Sequence, residues 1–305
     1  LRITAYKNSL SAFLTQSLPE HVYWIEKSES ELFGNVFLNA RPIKVDNAFR
    51  NEVYKYYKTS IFVSATLAVK DDFKFFKSTI GFDEGLEKIF PSPFNYSRQM
   101  VLFTSGNLPE PDDKDYHEVT AKYCADIIKL TGGNCLILFT SYWTLKNIKA
   151  YLSTLIDNPI FSQDELSASK ALSMYIENDG SVLMGTHSFW QGIDLPGDLL
   201  RSVIITRLPF SVPDTPVTEA KLELCKMSGL NPFVQIQIPE AVLKMKQGVG
   251  RLIRSGTDKG IVAILDSRIK TKHYGIIFEN SLPQCIKVSN LKDLKLKYNE
   301  ILLQN

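Results

Sequence analysis

Eight short runs rich in β-branched and apolar residues punctuate this chain, and most are unbroken rather than alternating. They are Val22–Glu26, Val36–Asn39, Ser60–Ala65, Gln99–Thr104, Asn134–Thr140, Ser181–Gly185, Arg201–Arg207 and Gly260–Asp266. A strand with one wet face alternates apolar and polar residues, whereas an unbroken apolar run has to be covered on both sides. Longer stretches with helical periodicity lie between the runs, at Asp115–Leu130, Tyr142–Leu155, Gln163–Asn178, Thr215–Ser228, Pro239–Arg254 and Asn290–Leu303. From residue 98 onward strands and helices interleave, which predicts an α/β fold with a mainly parallel sheet flanked by helices.

Local signals refine the boundaries. Asp112 and Asp113 are expected to cap the first of these helices and Gly132-Gly133 to end it. Pro239 suits the first turn of the fifth. Residues 1–60 read differently: two strands flank the polar stretch Lys27–Gly34 as in a hairpin, and a helix is expected from Val45 to Tyr57. The break at Pro91-Ser92-Pro93 suggests a boundary near residue 90, giving domains 1–90 and 91–305.

Composition narrows the class. With 44% apolar and 22% charged residues the chain is neither disordered nor fibrous, and no apolar run is long enough for a membrane helix. It begins Leu1-Arg2-Ile3-Thr4, without Met or a signal-peptide pattern, and reads as a segment of a longer polypeptide. Cys124, Cys135, Cys225 and Cys285 lie far apart, which suits a reducing compartment and a cytoplasmic location. Neither the cysteines nor His21, His117, His187 and His273 have metal-ligand spacing, so no metal site is expected. The net charge is only +2, but Ala241 to His273 carries eight Lys or Arg against Asp258 and Asp266. That local excess of six suits phosphates, and on charge alone a merely solvated basic face accounts for it equally well.

Four segments carry chemistry. Gln247-Gly-Val-Gly-Arg251-Leu-Ile-Arg254 puts an amide and two guanidinium groups at i, i+4 and i+7, one face of a helix and a span of about 10 Å. Such a stripe can grip a polyphosphate and offset charge that develops in phosphoryl transfer. Gly248 and Gly250 cost helix stability, about 1 kcal/mol each, so something is expected to approach the backbone closely. The second segment, Gly185 to Gly197, follows a strand and offers the hydroxyls of Thr186 and Ser188, the carboxylate of Asp194, and Phe189 and Trp190, for which burial is favoured over stacking on a base. Ile61-Phe-Val-Ser64-Ala65-Thr66 and Leu136-Ile-Leu-Phe-Thr140-Ser141 are apolar runs that end in small hydroxyl residues.

Taken together and in chain order, the four segments resemble the C-terminal half of a superfamily 2 helicase of the DinG/XPD-like family. Ser64-Ala65-Thr66 looks like motif III and Phe139-Thr140-Ser141 like motif IV. Gly185–Gly197, followed by Arg207-Leu-Pro-Phe210, looks like motif V, and Gln247–Arg254, followed by Asp266-Ser-Arg268, like motif VI. Gln191 stands where these relatives more usually carry an acidic residue. The resemblance implies a RecA-like domain at 91–305 preceded by the tail of a first one, with ATP and Mg2+ in the cleft of the full-length protein and single-stranded DNA across the top. It implies that Arg254 is an arginine finger, with Arg251 and Gln247 also near the γ-phosphate, and that Gly192, Asp194 and Gly250 line the nucleotide. Thr140, Ser141, Thr186 and Ser188 would contact DNA, and Ser64 and Thr66 would couple ATP state to grip on DNA.

The chain holds no Gly-x-x-x-x-Gly-Lys-[Ser/Thr] and no Asp-Glu-x-His after a strand. In the family both precede motif III, so the remaining N-terminal half of the same polypeptide is the expected partner and this chain alone is expected to be inactive. The family's iron–sulfur cysteines also lie upstream, and this segment does not reveal whether a cluster exists. Some Gram-positive members add an exonuclease domain, so the alternatives are an ATPase half of an exonuclease-fused protein without productive unwinding, or a non-catalytic nucleic-acid-binding module. A stand-alone hydrolase or oxidoreductase is disfavoured, since there is no Gly-x-Ser-x-Gly elbow and no complete dinucleotide fingerprint.

Overall fold

The computed structural model describes residues 2–28, 34–193, 195 and 197–303. The chain divides into two compact units, one of residues 1–68, 72–87 and 211–239, the other of 69–71, 88–210 and 240–305. The return to the first unit at 211–239 is not captured by a single cut near residue 90.

In the first unit, helix α1 (Arg2–Thr15) precedes the hairpin expected from the sequence, β1 (His21–Lys27) and β2 (Val36–Pro42). The two strands pair antiparallel with His21 opposite Pro42 and Lys27 opposite Val36. The helix Pro216–Met227 packs against β1. A small aromatic cluster supplies much of the packing: Phe62 meets Tyr54, Phe76 and Phe82 edge-on at 5.5–6.5 Å. The expected helix 45–57 forms as Asp46–Phe49 continuing into a wider π turn, Arg50–Tyr54. The expected strand Ser60–Ala65 does not form. Its backbone has no ladder partner among the described residues, and Ile61 and Val63 are 82% and 89% exposed. An apolar run becomes a strand only where another strand takes up its N–H and C=O groups.

The second unit is built on a seven-stranded sheet in which every pairing is parallel: β3 (Met100–Thr104), β4 (Cys135–Leu138), β5 (Ile160–Ser162), β6 (Val182–Gly185), β7 (Ser202–Ile205), β8 (Gly260–Ile264) and β9 (Ile286–Val288). Their spatial order is β5-β6-β4-β7-β8-β3-β9. Every residue of β3, β4, β6, β7 and β8 is buried, which is the physical content of the unbroken apolar runs. The edge strands β5 and β9 are three residues long and partly exposed, too short to register as hydrophobic runs. The covering helices include α2 (Tyr116–Thr131), α3 (Tyr142–Leu152), α4 (Ala168–Glu177), α5 (Ile238–Val249) and α6 (Leu291–Leu303). Helix α4 begins five residues later than expected from Gln163, because Ser162–Asp164 continue out of β5 instead.

Two helix-end expectations fare differently. Gly132 ends α2 in the left-handed region (φ +70°), and Gly133 (φ +91°) could carry no side chain, since a Cβ there would lie 2.0 Å from the Gly180 carbonyl oxygen. Asp112 and Asp113 do not cap α2. Asp112 pairs with Arg207 (2.9 Å), Asp113 accepts from the Glu110 amide (2.7 Å), and Asp115 occupies the cap position without a side-chain bond. Cys124 and Cys135 are buried free thiols, and burial pushes Cys135 up to about 12. Among the described residues no helix is long and apolar enough to cross a membrane.

Candidate functional site

A parallel sheet sends the carboxyl ends of its strands to one edge, and ligands in such folds bind beyond that edge. Here the segments after β4 (Phe139–Ser141), β6 (Thr186–Ile193), β7 (Thr206–Phe210) and β8 (Leu265–Arg268) gather there. Buried Asp266 ties two of them together: it accepts from the Leu208 amide (2.8 Å) and holds Arg268 through Nε (2.9 Å) and Nη2 (2.7 Å).

The segment after β6 is anchored by its aromatics. Trp190 is fully buried and its Nε1–H donates to the Phe139 carbonyl at 2.9 Å, while Phe189 is 2% exposed. Their flat faces are therefore core, as favoured from the sequence. Gly185 is demanded by this packing, since a Cβ would fall 1.9 Å from Phe189 Cδ2. At Gly248 a Cβ would lie 3.0 Å from both Trp190 Cζ3 and Leu138 Cδ1. What approaches the helix backbone closely is thus this chain's own indole rather than a ligand. Gly248→Val is expected to destabilise the fold by about 1–3 kcal/mol through overpacking, read as a lowered denaturation midpoint.

Helix α5 ends at Val249, five residues before the expected limit, so Gln247, Arg251 and Arg254 do not share one helical face. Beyond Val249 the backbone tightens into i→i+3 bonds, Arg251 N to Gly248 O and Leu252 N to Val249 O, both 3.2 Å. The next turn closes on Asp258, whose carboxylate accepts from the amides of Arg254 (2.7 Å) and Ser255 (2.8 Å).

The three side chains nonetheless converge, because all reach the segment 190–193. Arg251 donates from Nη1 to the Ile193 carbonyl (2.5 Å) and from Nη2 to that of Trp190 (3.0 Å). Arg254 donates from Nη2 to the same Ile193 carbonyl (2.8 Å). Gln247 Oε1 accepts from Gln191 Nε2 at 3.0 Å. Burial pulls both guanidinium groups below an arginine's usual pKa, an effect that Asp258 opposes at Arg254. The Nε–H of Arg251 is buried and has no hydrogen-bond partner among the described residues. Two cations on one carbonyl, with a buried donor left over, form a site that suits an anion. Gly192 takes φ +76° with open space where a side chain would be, and Gly250 has Lys246 O 3.1 Å from its would-be Cβ. Asp194 lies outside the described residues.

The hydroxyl candidates are distributed unevenly. Thr140 and Ser141 are partly exposed, and Ser141 caps α3 by accepting from the Thr144 amide at 3.2 Å. Ser188 is exposed. Thr186, expected to reach DNA, is instead 2% exposed, and its amide (2.6 Å) and hydroxyl (3.4 Å) both donate to Gln163 Oε1. Ser64 and Thr66 belong to the first unit, where their hydroxyls lie 3.4 Å apart. Gln163 was not legible beforehand, because it follows the short strand β5, itself invisible in the sequence. Among the described residues no group of three or more His, Cys, Asp or Glu could hold a metal ion.

Residues 124–285 match the helicase C-terminal domain family, a span that contains the segments after β4, β6, β7 and β8 and both arginines. The chain belongs to the DinG/XPD-like helicase C-terminal domain family. It is 35% identical over 282 residues to the ATP-dependent DNA helicase YoaA of Escherichia coli (strain K12), which covers 92% of this chain and 44% of that protein. It is 33% identical over 309 residues to the 3'-5' exonuclease DinG of Bacillus subtilis (strain 168), covering 96% of this chain and 32% of that protein. The chain thus spans less than half the length of these two relatives. A solved XPD helicase structure shares the fold with a TM-score of 0.63 at 18% identity, over 92% of this chain and 50% of that one. The seven-stranded unit of this helicase-family chain is RecA-like, and the segments at 139–141 and 186–193 follow the carboxyl ends of β4 and β6.

Proposed function

We propose that this chain is the C-terminal motor portion of an ATP-dependent DNA helicase or DNA-stimulated ATPase of the DinG/XPD type. The observation that carries the reading is the pair of guanidinium groups held together on the Ile193 carbonyl. ATP, with Mg2+, supplies the phosphoanhydride whose cleavage drives the motor. Arg254 is the arginine finger that stabilises charge on the transferred phosphoryl group. Arg251, with two donors on the carbonyls of 190 and 193, holds the loop in place, and its buried Nε–H fits an anionic neighbour. Gln247, Gly192, Asp194 and Gly250 complete this side of the nucleotide site.

Single-stranded DNA runs along Thr140, Ser141 and Ser188, where the N-terminus of α3 favours phosphate. Thr186 acts through its place in the backbone of that loop. Ser64 and Thr66 couple ATP state to grip on DNA. Residues 1–90 correspond to the end of a first RecA-like domain, and the phosphate-cradling loop lies in the N-terminal half of the full-length protein.

The likeness to an exonuclease DinG favours one further reading, in which the full-length protein is a nuclease fused to an ATPase that does not unwind productively. The test is ATP hydrolysis with and without single-stranded DNA, by this 305-residue chain and by the full-length protein. Turnover by the full-length protein alone is expected. Turnover by the isolated chain would overturn the composite-site reading. A strand-displacement assay on the full-length protein separates the two versions.

A further inference from the structure

A partly buried polar chain links the segment after β4 to the segment after β6. Its first member is Lys149, on α3, two helical turns beyond the capping Ser141. Lys149 Nζ donates to Ser162 Oγ (2.9 Å) and to both oxygens of Asp164 (3.2 Å each), and it pairs with Glu165 at 2.5 Å. The side chains of Lys149 and Asp164 are only 15% and 9% exposed. Burial alone would raise the Asp164 pKa, but the hydrogen bonds from Ser162 and Lys149 outweigh it and hold the carboxyl below its usual value. Between Ser162 and Asp164 sits Gln163, whose amide pairs with the Met184 carbonyl of β6 (3.1 Å). Its side chain then grips the next loop at both ends: Oε1 accepts from the Thr186 amide at 2.6 Å, and Nε2 donates to Ser188 Oγ. Five residues on from Ser188, the Ile193 carbonyl takes both arginines.

Half-buried ion pairs of this kind add little to stability compared with an apolar replacement, so their contribution is better sought in fixing one arrangement over another. Helix α3 is stiff on this scale, with Thr144, Leu145, Ile148 and Leu152 buried against the unit's core. Ser141 and Lys149 therefore sit at the start and on the body of one rigid element. The Lys149–Asp164 pair joins that element to the turn that carries Gln163.

We propose that Lys149, Asp164 and Gln163 are positioning residues that lock the segment Thr140–Ser141 and the loop Thr186–Ile193 into one register, so that single-stranded DNA engaged at the first is sensed at the arginine-bearing end of the second. The inference rests on the DNA-stimulated ATPase reading above. Neither the motif-like segments nor the helix face discussed for the site includes these three residues.

The test uses the full-length protein and oligo-dT as probe, with ATP turnover measured without DNA and at saturating DNA. Lys149→Met and Gln163→Ala are each expected to leave basal turnover within about twofold and to reduce the DNA stimulation about tenfold, inside the ~5–150-fold range typical of site-to-site coupling. Lys149→Arg should restore most of it, and the double variant should lose no more than either single one, since both cut the same link. Gln163→Glu keeps the acceptor for Thr186 and removes the donor to Ser188, which supplies a milder variant should Gln163→Ala fail to fold. Full stimulation in these variants, or additive losses, overturns the link while leaving the ATPase reading intact. Basal and stimulated rates that fall in parallel reduce the three residues to structural support. Wild-type protein that DNA does not stimulate removes the ATPase reading and the link together.

Discussion

In the full-length protein, Arg254→Ala is expected to lower DNA-stimulated ATP turnover by about three orders of magnitude, the scale on which arginine fingers act, with single-stranded DNA affinity nearly unchanged. The side chain is placed for that effect. Its Nη2 shares the Ile193 carbonyl with Arg251, and its own backbone amide is tied to Asp258, so removing the guanidinium leaves the turn that carries it intact. Arg254→Lys should recover little, because an ammonium offers one compact charge where the fork offers directed donors. Arg251→Ala is the informative contrast. Arg251 holds two carbonyls of the 190–193 segment, so its loss should loosen the loop and lower the unfolding temperature as well as the rate. Normal turnover in Arg254→Ala, with the protein folded, sinks the finger assignment.

Trp190→Ala should be the most destabilising single change at this edge, by about 3–5 kcal/mol. The indole has no exposed surface, fills the space that Gly248 leaves open, carries the Lys244 ammonium over its ring at 5.3 Å, and satisfies the Phe139 carbonyl. Removing it creates a cavity and strands a buried acceptor at once. For a unit of roughly 200 residues each kcal/mol shifts the midpoint by about 2–4 °C, so thermal unfolding should fall by about 6–20 °C. Trp190→Phe keeps most of the volume and loses only the donor, and should cost about 1–2 kcal/mol. An unchanged midpoint in Trp190→Ala would mean that the loop is held by something other than this indole.

The second unit's sheet was legible in the chain because its central strands are covered on both faces, and such double burial is what an unbroken apolar run of this length requires. Its register and strand order were not, since apolar runs such as Leu136–Leu138 and Val203–Ile205 are interchangeable as local patterns. The run Ser60–Ala65 shows the same limit from the other side. It carries a strand's residues, yet forms none in the absence of a neighbouring ladder. Arg251 and Arg254 were recognisable as a pair suited to phosphate, but the helix assumed to align them ends at Val249. Their convergence depends on a carbonyl 61 residues earlier in sequence from Arg254. Gln163 had no signal at all, because a glutamine after a three-residue edge strand looks like any loop residue until Thr186 and Ser188 are folded against it.

By itself, then, the sequence determined the α/β class and the hairpin, and marked the segments at 139–141, 185–197 and 247–254 as candidates for meeting a phosphate. Those properties follow from short-range pattern: which faces are apolar, and which residue types can meet a phosphate. Only the tertiary structure decided that Trp190 rather than a ligand fills the space over Gly248, that both guanidinium groups meet on the Ile193 carbonyl, and that Lys149, Asp164 and Gln163 bridge two loops. Each is a contact between residues far apart in the chain, and its distance is set by how the helices and strands pack rather than by any local preference.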